Sequence, residues 1–159
     1  MSFRSELAAA LRAASKEGAI LPPADEATIA QAERRFGIRL PADMSLFYRS
    51  MNGMAWPTKP DNGWVRLWDL GSWQRVRDKP DLSDAASLYT NLSDAILVAD
   101  HCDASWWYAV NFGRVGETPT IHLIDGLQPA KLVATSFTAF VNAALADAAE
   151  IYPDERNAG

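Results

Sequence analysis

Asp100-His101-Cys102-Asp103 brings a nucleophile, a base and two carboxylates into four consecutive residues. A set of this kind could hold a metal ion or activate a thiol. A structural zinc site wants four ligands with a recognisable pair spacing. The chain has one cysteine and two histidines, and the second, His122, falls inside a later strand-like run. Neighbours on a strand point to opposite faces, so His101 and Cys102 would not share one ligand geometry. A Cys–His nucleophile also needs an orienting third group and an oxyanion site, and no third residue carries that signature. The run reads as a polar turn. Gly113-Arg114-Val115-Gly116 lacks the strand–loop–helix setting in which backbone amides cradle a phosphate. The acids are scattered over turns and helix ends, with no pair marked out for acid–base work. No catalytic residue, metal site or cofactor is expected.

The charge distribution carries more. From Pro80 to Gly113 there is no Lys or Arg, while Asp81, Asp84, Asp94, Asp100 and Asp103 all fall there. One reading is turn chemistry, since Asp favours turns and caps. The other is a local negative field, which would speed encounter with a cationic partner and penalise wrong ones. The six tryptophans also have two readings. Large aromatics dominate cores, and Trp is enriched at binding hot spots. Trp106 and Trp107 are adjacent, so on a strand one faces the core and one faces away. Trp107 is the leading anchor candidate. Asp81, Asp84, Asp94, Asp100, Asp103 and Trp107 are thus the expected partner-binding set.

The net charge is −5, without a basic stripe, which argues against nucleic acid as a direct partner. The length, 159 residues, and the 48% hydrophobic fraction fit one soluble domain over residues 1–159, able to bury roughly two-thirds of its unfolded surface. A lone cysteine cannot form an internal disulfide, which fits a reducing compartment. Arg4, Glu6 and Arg12 interrupt any apolar core near the N-terminus. No run approaches the ~18 apolar residues of a membrane span. A cytoplasmic protein is expected.

The elements that would carry these residues follow from periodicity. Phe3, Leu7, Ala10, Leu11 and Ala14 share one helical face over about residues 2–16. Ile29, Ala32 and Phe36 define a helix from about Asp25, ended at Gly37. Pro41 suits the opening of the next helix. There Met44, Phe47, Tyr48 and Met51 recur at i, i+3, i+4, i+7 before Asn52-Gly53 closes the run. Ala55 to Gly63 is a turn-rich loop. Strands are expected over 64–68, with Val65 and Leu67 on one face, and over 95–99, 106–112, 120–124 and 131–134. Leu70 to Thr90 is ambiguous, with short helical turns near Trp73 and after Pro80. Phe137, Phe140, Val141, Ala144 and Leu145 mark a C-terminal amphipathic helix. The tail from Pro153 reads as frayed. Helices, an antiparallel-type strand run and a closing helix give an α+β fold. Phe36, Leu40, Phe47, Tyr48, Ile96, Val98, Phe137, Phe140 and Val141 should share one core.

The order helix, Gly37-Ile38-Arg39-Leu40-Pro41, helix, Asn52-Gly53 resembles the SUKH superfamily. So do the runs Ile96-Leu97-Val98-Ala99-Asp100, Trp107-Tyr108-Ala109-Val110-Asn111, Pro119 to Asp125 and Ala134-Thr135-Ser136-Phe137. The likeness covers about residues 25–145. It departs after Asp100, where the family often carries glycine, and Leu70 to Ser93 has no counterpart. The resemblance implies a SUKH-like α+β domain with N-terminal helices, a central, mostly antiparallel sheet and a C-terminal helix. It implies a non-enzymatic binding protein: an immunity protein neutralising a cognate bacterial toxin domain, with a nuclease as one candidate; the Asp-rich stretch adds the expectation that this partner is cationic. An intracellular adaptor or regulator of a host protein is the alternative.

Overall fold

The computed structural model describes residues 21–54, 65–101, 105–114, 116–146 and 148–154. The helix expected over residues 2–16 and the loop over 55–63 lie outside the described residues. Helix α1 spans Glu26–Phe36. Asp25 caps it, accepting the Thr28 amide N–H and the Thr28 hydroxyl, each at 2.7 Å. Those bonds favour the ionised form and hold the Asp25 carboxyl below its ordinary range. Gly37, at φ 62°, ends the helix in the left-handed conformation open to glycine. Helix α2 spans Ala42–Ser50 behind Pro41.

Asn52-Gly53 does more than end a helix. The Asn52 side-chain oxygen accepts the Leu70 N–H at 3.0 Å. The Gly53 carbonyl accepts Leu21 N–H, and the Asn52 N–H donates to the Pro22 carbonyl. A Cβ on Gly53 would stand 2.5 Å from the Trp68 carbonyl carbon, and its φ is +81°. Only glycine fits this crossing of three chain segments.

Six strands form one antiparallel sheet: β1 Val65–Leu67, β2 Gln74–Arg75, β3 Ile96–His101, β4 Trp106–Asn111, β5 Thr120–Ile124 and β6 Lys131–Ala134. The order is β1-β3-β4-β5-β6, and β2 shares the outer edge of β3 with β1. Helix α3, Phe137–Leu145, follows, capped by the Ser136 hydroxyl on Ala139 N–H.

The register sorts side chains onto two faces. On the first face, Tyr108 meets Phe140 of α3 with ring centroids 4.9 Å apart. Phe47 of α2 meets Phe137 edge-on at 5.3 Å, and Tyr48 meets Trp73 at 5.4 Å. Asp43 of α2 stitches the helices together: its carboxylate accepts both the Thr138 N–H at 3.0 Å and the Thr138 hydroxyl at 2.8 Å. That places a negative charge at the α3 N-terminus, where the helix dipole favours it. All nine residues expected in the core are buried in one cluster.

The second face carries Arg66, Asp100 and Trp107 side by side across β1, β3 and β4. Its cover is the segment that the sequence leaves ambiguous. Residues 70–94 wind as 3-10 turns over Leu70–Ser72, Val76–Asp78 and Pro80–Leu92, with β2 between the first two. Such turns seldom run beyond three or four residues, and this one breaks at Tyr89 (φ −121°, ψ 27°). Trp73 packs against Phe36 and Tyr48 of the helices, while Leu82 and Tyr89 are buried beside the β5–β6 turn. The Tyr89 hydroxyl accepts the Gly126 N–H and donates to the Gln128 carbonyl, both at 2.8 Å. This pins the segment to the β5–β6 turn.

At the C-terminal end, the Tyr108 hydroxyl donates to the Ile151 carbonyl at 2.7 Å. Lys131 holds the Tyr152 carbonyl and Asp154. The chain expected to fray from Pro153 is tied down as far as Asp154.

Candidate protein-binding surface

The structure divides the expected partner-binding residues into two groups. Asp100 is interior, at 1% exposure. Its carboxylate accepts Arg66 Nη2 at 2.9 Å and Trp68 Nε1 at 2.9 Å. Burying a charged group costs less when it is paired and hydrogen-bonded, and Asp100 has both the Arg66 pair and the Trp68 donor. Trp107 is likewise buried, at 7% exposure. The Lys79 ammonium stands 5.5 Å from its ring centroid. The expectation of an exposed Trp107 anchor is therefore corrected: both faces of β4 are covered, one by helices and the other by the 3-10 segment. Trp106, on the opposite face, is half-buried and stacked on His101 at 4.1 Å.

Asp81 and Asp84, on the 3-10 run, and Asp94, just after it, are all exposed. The window without bases is not a window without partners. Lys79 reaches Asp81 at 3.0 Å, and Arg77 pairs with Asp94. Both bases sit just upstream of the gap. Asp84 and Asp78 make no ion pair among the described residues. Over residues 76–94, four carboxylates stand against two bases. The negative surplus is real but smaller than the linear sequence implies. Asp103 lies outside the described residues.

Beside these carboxylates is a pocket of about 100 Å³, lined by Val76, Arg77, Leu82, Ser83, Ala86, Tyr89 and Ser93. Three of the four large apolar residues exposed among the described residues are on the same segment or on β5–β6: Leu88, Leu127 and Leu132. The sequence reading missed this apolar component. The pocket draws on two 3-10 turns and the residue that follows them, with Ser83, Ala86 and Tyr89 at a spacing of three.

His101 and Asp100 do point to opposite faces, one against Trp106 and the other to Arg66. Cys102 lies outside the described residues. Among the described residues no group of three or more His, Cys, Asp or Glu is placed to hold a metal ion. His122 is on the second face of β5, with its Nε2 2.9 Å from the Thr120 hydroxyl oxygen. Burial pushes its pKa below the ordinary value.

Taken together, these features define an α+β sheet domain whose helix-free face is overlaid by an irregular, acidic, partly apolar segment. The sequence model of the SMI1/KNR4 family (SUKH-1) matches residues 23–143, and the chain belongs to that family. The family includes immunity proteins, and its members typically bind protein partners. No curated protein matches the chain. No helix among the described residues is long and apolar enough to cross a membrane.

Proposed function

We propose that this protein is a cytoplasmic, non-enzymatic immunity protein that binds a cognate bacterial toxin domain and blocks it. The observation that carries the reading is the carboxylate surplus on the exposed side of residues 76–94, with Asp84 unpaired among the described residues. A cationic toxin, such as a nuclease whose own substrate is anionic, is the partner that such a field attracts and orients. Blocking needs no chemistry from this chain, only occupation of the toxin's surface. Co-expression with the toxin domain encoded beside its gene tests the reading. Protection of the host cell, with a stable complex on purification, is expected. A toxin that still kills, or a gene with no toxin neighbour, would favour the adaptor reading instead.

A further inference from the structure

We propose that the pocket between the 3-10 turns is an anchor site for one aliphatic side chain presented from a basic protein surface. This rests on the partner-binding reading and specifies where and how the partner docks.

Size decides between ligand classes. Small-molecule sites run to about 300–1,000 Å³, and this pocket, at about 100 Å³, is of a size for a single side chain. Its walls select an aliphatic one. Val76, Leu82, Ala86 and the Tyr89 ring present carbon, and Ser83 and Ser93 add only hydroxyls. The walls are also set in advance. Tyr89 is held through its hydroxyl by Gly126 and Gln128, and Val76 N–H donates to the Ala95 carbonyl at 2.9 Å. A preformed cleft loses little ordering entropy on binding.

The charges around the pocket choose the surface that brings the side chain. Asp78, Asp84 and Asp94 each adjoin a lining residue in the chain. Arg77 lines the pocket but is engaged with Asp94 in a pair that is largely solvent-exposed. Exposed pairs of this kind hold weakly, so an incoming base can share Asp94 without a large penalty. Central apolar burial inside a charged rim is the ordinary anatomy of a protein–protein contact.

A synthetic peptide, Lys-Lys-Leu-Lys-Lys, tests this without any toxin. Titrated into the ¹⁵N-labelled full chain, it should move the amides of Val76, Ser83, Ala86, Tyr89 and Ser93. Lys-Lys-Ser-Lys-Lys should bind about tenfold or more weakly, since burying a leucine carries at least that factor. Glu-Glu-Leu-Glu-Glu should bind more weakly still. Ala86→Trp, which fills the pocket from an exposed position, should erase the difference between the leucine and serine peptides. If that variant does not fold, Ser83→Phe occludes the same space. Equal binding of the leucine and serine peptides, shifts centred elsewhere, or no shift with any peptide overturns the pocket. The same occluding variants separate this inference from the immunity reading. Full toxin neutralisation by Ala86→Trp would sink the anchor and leave immunity standing. Peptide binding at the pocket without neutralisation would do the reverse.

Discussion

The two faces of the sheet are built by opposite means. The first is covered by α1, α2 and α3, whose apolar residues recur at helical spacing and interlock as aromatic pairs. The second is covered by residues 70–94, a non-repeating chain held by single fixings: Lys79 over Trp107, Tyr89 to the β5–β6 turn, Arg75 to the Phe36 and Asp94 carbonyls. One face is covered by helices packed at regular spacing, the other by an irregular segment that buries Val76, Leu82 and Tyr89 and adds a few directional contacts. The contrast teaches where variation is tolerated. A regular face must satisfy its period at every turn, whereas a pinned segment can change between its pins. That is the property a surface matched to one particular partner requires.

Breaking the regular face should have the largest effect. Phe140→Ala should cost about 3–5 kcal/mol, the usual range for emptying a buried Phe site, measured by urea unfolding. A loss below about 1 kcal/mol would mean that α3 is not docked on the sheet. On the second face, Asp100→Ala leaves Arg66 in a largely buried site and should cost about 3 kcal/mol, as removal of one member of a buried pair does. Near wild-type stability in that variant would mean the 3-10 segment gives way and lets water reach Arg66.

Asp43→Ala removes the link between α2 and the N-terminus of α3. About 1–2 kcal/mol should be lost, as for a helix cap, with Asp43→Asn intermediate. A smaller, pH-dependent effect belongs to His122. Burial lowers its folded-state pKa, so below about pH 6.5 the unfolded chain takes up a proton that the folded chain resists. Stability should therefore fall as pH drops from neutral toward and through the folded pKa. His122→Asn should flatten that part of the melting-temperature profile. An unchanged profile would mean that the imidazole is solvated in the folded protein.

The helix face was readable from the sequence because its signals are redundant. Asp25, Gly37, Pro41 and Ser136 mark ends that the apolar spacing already implies. Strands β3 to β6 were readable within a residue or two for the same reason. The second face was not. Ser83, Ala86 and Tyr89 sit at the 3-10 spacing of three, in a run that breaks at Tyr89. The burial of Asp100 depends on Arg66 and Trp68, more than thirty residues away in the chain. The run of Asp residues is visible in the sequence, but the pairing of Asp94 with Arg77 and of Asp81 with Lys79 joins it to bases that lie just upstream of it. The SUKH family was readable from the opening motif, and the match over residues 23–143 shows it.

The central claim is that residues 76–94 meet the partner through their charge. Stopped-flow association with the purified toxin domain, run across a salt series, tests it most directly. Wild-type association should slow as salt rises, because exposed charges are screened beyond about 8–10 Å at ordinary ionic strength. Asp81→Lys with Asp84→Lys should slow it further and flatten the salt dependence, while dissociation changes little. An association rate indifferent to salt and unchanged in the double reversal would place the interface on another part of the molecule.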